Sequence, residues 1–134
     1  MRALLIAAVL AGAASPAMTS QALALDLNSF RAENKLPPLS VSATLAGAAD
    51  GHARDMARRD SLDHDGFAAR AKLSGGTAAE NVSYGCDNMD CAIKQWAKSS
   101  GHRKNMLMKG VSAYGIASAV SESGRKYWAM VLGN

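Results

Sequence analysis

The sequence predicts an α+β domain, helices packed on a small antiparallel sheet, on three observations. Residues of one buried helix face, Leu45, Ala48, Ala49, His52 and Met56, recur at the three-and-four spacing. The period changes to alternation near Tyr114, Ile116, Ser118 and Val120, and a second apolar run, Tyr127 to Leu132, follows across Ser121-Glu122-Ser123-Gly124. Helical pattern first and hairpin pattern last is the order of an α+β fold, and no internal repeat or low-complexity tract interrupts it.

The elements follow in chain order. Arg2, the apolar run Ala3 to Leu10 and the small-residue close Ala22-Leu23-Ala24 have the three regions of a secretory signal, with cleavage expected after Ala24. An uncleaved membrane anchor is the rival reading, but the run falls well short of the roughly 20 residues that span a bilayer. No cysteine sits near the cut, which argues against a lipid anchor. Removing 24 of the 134 residues leaves 110, residues 25–134, enough for one core. The mature chain is therefore expected to be periplasmic or secreted, with no transmembrane segment, and monomeric.

Asp26 can cap a short helix running to Lys35, stopped by Leu36-Pro37-Pro38. Ser40 or Ser42 can cap the second, longer helix. The polar stretch Leu62 to Phe67 reads as a turn, Phe67 to Leu73 as a third helix ended by Gly75-Gly76, and Thr77 to Gly85 as a loop entering a short strand. Asp90 can cap a helix through Ile93 and Trp96 to Ser99, broken at Gly101. The hairpin closes the chain. Trp96 and Trp128 lie on apolar faces and are expected to be buried.

The formal net charge of +4 becomes +3 when Arg2 leaves with the signal. Arg54, Arg58, Arg59, Arg70, Lys72, Arg103 and Lys104 alternate with Asp55, Asp60, Asp63 and Asp65. That is a solvated mixed surface rather than a nucleic-acid stripe, and at most a weak attraction to an anionic envelope. The two cysteines, Cys86 and Cys91, are an even count in an oxidising compartment and read as a disulfide, with zinc ligation by the thiolates as the alternative.

Chemistry-bearing residues are few. Of the three histidines, His64 lies in a turn-rich segment and His102 beside Ser99-Ser100-Gly101, neither a core context, whereas His52 belongs to the apolar face of the second helix and reads as a satisfied buried histidine. Glu80 sits in the small and apolar string Thr77-Ala78-Ala79-Glu80-Asn81-Val82; if buried, its carboxylate needs an imidazole, a backbone N–H or a metal as partner. Two imidazoles and a carboxylate suit zinc with an open position, although His64, Glu80 and His102 lie in separate segments whose convergence the spacing does not establish. A His-Glu-x-x-His helix, a Gly-x-Ser-x-Gly elbow, a phosphate-cradling loop and a free reactive cysteine are all missing from the sequence.

At these residues the chain resembles the CAP superfamily, also called the SCP/PR-1-like or cysteine-rich secretory protein domain, in its compact bacterial branch. The resemblance rests on His52-Ala53-Arg54-Asp55-Met56, His64-Asp65-Gly66-Phe67, Ala79-Glu80-Asn81-Val82, Trp96 with Ser99, Gly101-His102-Arg103-Lys104-Asn105-Met106-Leu107 and Tyr127-Trp128-Ala129-Met130-Val131-Leu132, in that order. It implies an α-β-α sandwich with a surface cleft in which His64 and His102 form a pair and Glu80 is their acidic partner; in some relatives the histidines hold a divalent metal, which here would be an ion such as zinc. The second acidic residue of many relatives, three positions after the tryptophan, is Ser99 here. That departure weakens an acid–base pair or a four-residue metal site.

Three functions follow as expectations. The first is a non-catalytic extracytoplasmic binding module for a small-molecule, lipid or envelope ligand. The second is a metal-assisted hydrolase of an ester or peptide, in which His64 and His102 hold the metal and Glu80 is a ligand or the catalytic general base. The third is a structural or stress-protective envelope protein. The missing second carboxylate and nucleophile motif favour the first.

Overall fold

The computed structural model describes residues 25–134; residues 1–24, and with them the expected signal segment, lie outside the described residues. Five helices and four strands follow in the order α1 (Leu27–Glu33), β1 (Ser40–Val41), α2 (Ala43–Arg59), α3 (Phe67–Lys72), β2 (Ala79–Tyr84), α4 (Met89–Ala97), α5 (Ser100–Met106), β3 (Ala113–Val120) and β4 (Lys126–Gly133) among these residues. The strands form one sheet in the order β1-β3-β4-β2. β3 and β4 are the expected hairpin, with Ile116 opposite Met130, and β2 adds antiparallel to β4 with Ser83 opposite Trp128. The sheet is mixed rather than wholly antiparallel, because the two-residue β1 pairs parallel with β3. So short a strand after two prolines carries no period from which it could be read.

Alternation along β4 divides the core. Tyr127, Ala129 and Val131 face α2 with Leu45, Ala49, Ala53, Met56 and Ala57. Trp128, Met130 and Leu132 face the other way, onto Leu27 and Phe30 of α1, Ile93 and Trp96 of α4, and Met106 of α5. Helices thus cover both faces of the sheet, the three-layer α-β-α sandwich anticipated from the resemblance. Trp96 is fully buried and Trp128 nearly so.

Contact between α2 and the sheet is close. A Cβ added at Gly115 on β3 would stand 2.0 Å from the backbone nitrogen of Ala46, inside any allowed approach. Glycine there lets the helix backbone lie on the strand.

Local signals explain most boundaries. The Asp26 carboxylate accepts from the N–H of Ser29 at 2.7 Å to open α1, and Ser42, one of the two expected caps, accepts from Leu45 at 3.2 Å to open α2. The cap of α4 is Asn88, whose side chain accepts from the N–H of Cys91 at 2.9 Å, and not Asp90. Asp90 lies in the first turn and instead accepts from the N–H of Leu25 at 2.5 Å and from the Lys94 ammonium at 2.7 Å. Gly101 does not break α4 either: the helix ends at Ala97, and Gly101 lies in the first turn of a separate α5. Ser-Ser-Gly reads as a loop, yet small polar residues are also favoured at helix starts. Cys86 and Cys91 are joined in a disulfide, as expected, closing the loop between β2 and α4.

Candidate functional site

The site is built along the outer edge of β2. Three carbonyls on that edge are met by side chains rather than by another strand: Glu80 O by Asn105 Nδ2 at 3.2 Å, Val82 O by Trp96 Nε1 at 3.2 Å and Tyr84 O by Gln95 Nε2 at 3.5 Å. Asn81, fully buried, ties β2 to α5 again, donating to His102 O at 3.0 Å and accepting from Asn105 Nδ2 at 2.9 Å. From the other end, the buried Arg31 donates to Pro37 O, Met106 O and Met108 O at 2.9 to 3.0 Å, holding the exit of α5 against α1. His102, in the first turn of α5, is therefore carried on a helix fixed at both ends.

His64 reaches the same edge from the loop before α3. Its Nδ1 lies 2.9 Å from Glu80 Oε1. A carboxylate only accepts, so Nδ1 carries a proton, and in the neutral tautomer Nε2 is then the lone pair. The loop itself is braced by Asp63, whose carboxyl is held well below the usual carboxylate range, chiefly by its hydrogen bonds from Arg59. His52, on α2, is buried as expected and donates from Nε2 to Asp63 O at 2.9 Å. The same nitrogen stands 3.7 Å from Glu80 Oε1, so all three histidines border the site region.

Glu80 has a partner that the sequence reading placed among the solvated surface cations. Arg70, on α3, grips the carboxylate with two nitrogens, Nε to Oε2 at 2.5 Å and Nη2 to Oε1 at 2.8 Å, while Nη1 donates to Asp65 O at 2.7 Å. The Glu80 side chain is 1% exposed and that of Arg70 13%. This is a buried, bidentate, charge-assisted pair. Arg54, Arg58 and Arg59, by contrast, pair with Asp50, Asp55 and Asp63 on the surface, in keeping with the expected mixed charge. The available cue was the unpaired look of Glu80, which called for a cation as much as for an imidazole.

Two hollows open beside these groups. One, of about 300 Å³, is lined by His64, Phe67, Glu80 and Asn105 among others. The second, of about 370 Å³, is lined by Leu62, Val82, Tyr84 and Trp96 together with Ser83, Gln95, Ser99 and His102. Its polar lining is hydroxyl, amide and imidazole. Ser99 occupies the N-cap position of α5 without a side-chain cap bond, so its hydroxyl is left for the hollow. The His102 pKa is lowered from the ordinary imidazole value, first by burial and second by the neighbouring His64. The two imidazoles are thus electrostatic neighbours. Among the described residues no three His, Cys, Asp or Glu side chains gather in the geometry of a metal site, and the cation beside Glu80 is the Arg70 guanidinium.

Comparison with known proteins agrees with this architecture. An outer surface protein of Borrelia burgdorferi superposes with a TM-score of 0.71 over 81% of this chain and 86% of its own, at 15% identity, which speaks for the fold alone. An extracellular protein containing a SCP domain from Bacillus anthracis gives 0.68 over 81% of this chain and 37% of its own, at 25% identity. A cysteine-rich secretory protein of Staphylococcus aureus gives 0.60 over 79% and 35%, at 22% identity. In sequence, the uncharacterised protein YkwD of Bacillus subtilis is 29% identical over 104 residues, 72% of this chain but 40% of that relative's length. Residues 26–132, nearly all that the structure describes, match the cysteine-rich secretory protein family, CAP, and the chain belongs to that family.

Proposed function

We propose that this domain is a non-catalytic extracytoplasmic binding module whose ligand sits in the hollows beside β2, with a divalent cation such as zinc held by His64 and His102. One observation carries the reading: both oxygens of Glu80 already accept hydrogen bonds, from Arg70 and from His64. A general base must offer an oxygen to the water it deprotonates; here three hydrogen bonds occupy the carboxylate and its side chain is 1% exposed. The imidazoles are differently placed. His64 keeps Nε2 as a lone pair, the Glu80 bond to Nδ1 orienting it as outer-shell carboxylates orient metal-ligating histidines. A bound cation would supply a positive centre for an electron-donating ligand group; the residues themselves orient that ligand through Ser99, Gln95 and the apolar surface of Leu62, Val82 and Tyr84.

Export is part of the proposal. Residues 1–24 have the composition of a signal, the disulfide suits an oxidising compartment, and among the described residues no helix is long and apolar enough to cross a membrane. The likeness to a protein described as extracellular points the same way. A monomer that meets a small-molecule, lipid or envelope ligand, and not nucleic acid, is the form we propose.

The test is metal content and zinc calorimetry on the protein purified from the periplasm or medium, beside His64→Ala/His102→Ala. About one zinc per chain in the parent and none in the double variant is the expected result. Equal uptake by both would move the metal elsewhere. Zinc-dependent cleavage of ester or peptide substrates, abolished in Glu80→Ala, would replace the binding module with a hydrolase.

A further inference from the structure

The hollow of about 370 Å³ at Trp96 differs from its neighbours in charge. Its lining includes no Asp, Glu, Lys or Arg, whereas the hollow at His64 includes Glu80 and one beside the disulfide includes Asp90, Lys94 and Lys98. In their place stand neutral polar groups with unspent hydrogen-bonding capacity. The Ser99 hydroxyl makes no cap bond. Gln95 donates to Tyr84 O at a long 3.5 Å, and its Oε1 stands 3.6 Å from Cys86 Sγ, a disulfide sulfur with no hydrogen to give. A hydroxyl and a carboxamide each donate and accept, so together they match a ligand that does both. Leu62, 41% exposed, adds an aliphatic wall with Val82.

We propose that this hollow takes one uncharged sugar unit, its hydroxyl or acetamido groups on Ser99 and Gln95 and its carbon face against Leu62 and Val82. This deepens the binding reading above and rests on its ligand, not on its metal. An ionised group would be desolvated here with no counter-charge in the lining. An acyl chain would cover Ser99 and Gln95 and leave both without partners. A flat base needs a free aromatic face, and the two aromatic rings of the lining are taken. Trp96 is fully buried with its Nε1 spent on Val82 O, and Tyr84 lies under the Arg125 guanidinium, 4.8 Å from the ring centroid, and against Tyr127 at 5.9 Å. A puckered ring needs only aliphatic surface. The volume is near the lower end of the roughly 300 to 1,000 Å³ usual for ligand sites, which suits one ring with its substituents.

Nitrogen–proton correlation spectra of the exported, oxidised protein near neutral pH, with and without a chelator, decide this with a panel of neutral methyl glycosides: the glucoside, galactoside, mannoside and N-acetylglucosaminide. At least one is expected to bind with a Kd of about 1 mM or below, chelator or not, and to shift the Gln95 side-chain amide and the backbone of Leu62 and Ser99. The same glycoside carrying a 6-carboxylate or a 6-ammonium should bind at least about tenfold more weakly. Ser99→Ala and Gln95→Leu should each weaken the neutral form about fivefold, the worth of one ordinary hydrogen bond, at unchanged melting temperature. Ser99→Asp should reverse the preference in favour of the ammonium form. Neutral and charged forms bound alike, or affinity unchanged in Ser99→Ala and Gln95→Leu, overturns the proposal. Binding lost on chelation also overturns it, since the sugar would then sit on a cation. Shifts at Ser99 and Gln95 with acetyl-trialanine amide or octanol, but with no glycoside, overturn the sugar and leave the binding reading standing. No shift with any of these probes overturns the sugar and removes this hollow from the binding reading.

Discussion

The two faces of the sheet are built on opposite rules. On the α2 face the helix presents Ala49, Ala53 and Ala57 to Ala129, and glycine at position 115 brings helix and strand backbones together. On the opposite face Phe30, Ile93, Trp96, Met106 and Trp128 fill the space between sheet and helices, and buried polar side chains, Arg31 and Asn81, tie the helices by hydrogen bonds to carbonyls. Small residues set a distance through the main chain, whereas large ones set it through side-chain volume. The difference teaches where function can sit. The site sits between the two: Glu80 and Val82 point from β2 to the α2 side, with His52 of α2 standing 3.7 Å from Glu80, while His102 is carried by α5, one of the helices held by bulk and polar ties.

Substitutions can break that contrast. The largest effect is expected from Trp96→Ala, which empties the bulky face and strands Val82 O; the cost is about 3–5 kcal/mol in urea denaturation. A loss below about 1 kcal/mol would mean that volume does not hold α4 in place. Next is Gly115→Ala. Its single added methyl collides with main chain, and we expect a loss of about 3 kcal/mol, the upper part of the usual overpacking range. If it is tolerated, α2 is not docked through backbone.

The disulfide adds a smaller contribution on the bulky face. Cys86→Ser should cost about 2 kcal/mol under oxidising conditions, by the loop-entropy estimate, and little under reducing ones. Equal loss in both would assign the effect to packing of the buried Cys86.

The smallest effect is the acid response at the end of α2. Asp60, the left-handed cap of that helix, accepts from the Tyr127 hydroxyl at 2.8 Å and from Ser123 at 2.9 Å, and its pKa is lowered from the ordinary value of 3.8, first by Tyr127. A depressed folded pKa gives stability that is present above 3.8 and is lost as pH falls through the lower folded value. Asp60→Asn should therefore flatten the stability profile below pH 3.8 and leave its slope above that pH unchanged, with Tyr127→Phe acting in the same direction. An unaltered acid limb in both variants would remove Asp60 from the account.

Legibility in the sequence followed the same division. The α2 face was readable because its contacts recur with helical and strand periods, and His52 could be placed on it as a buried residue. Much of the opposite face was readable too, through Trp96, Trp128 and the hairpin. His64, Glu80 and His102 were picked out by unusual context, and the expected need of Glu80 for a partner was met by His64. Arg70 escaped because a cation among alternating charges looks solvated, and only the docking of α3 buries its head on Glu80. The start of α5 escaped because Ser99, Ser100 and Gly101 serve turns and helix starts alike. Asn88 competed with Asp90 for one cap, two residues of equal chemistry two positions apart.

The capped edge of β2 has a consequence for how this domain can meet other chains. Alternate carbonyls along an unpaired strand are an invitation to sheet extension, the first step of strand swapping and of fibrous aggregation. Here asparagine, tryptophan and glutamine close that invitation at Glu80, Val82 and Tyr84, and the opposite margin of the sheet is the two-residue β1. A peptide laid against this edge of β2 would be met by side chains in the hollows and not taken up as a fifth strand.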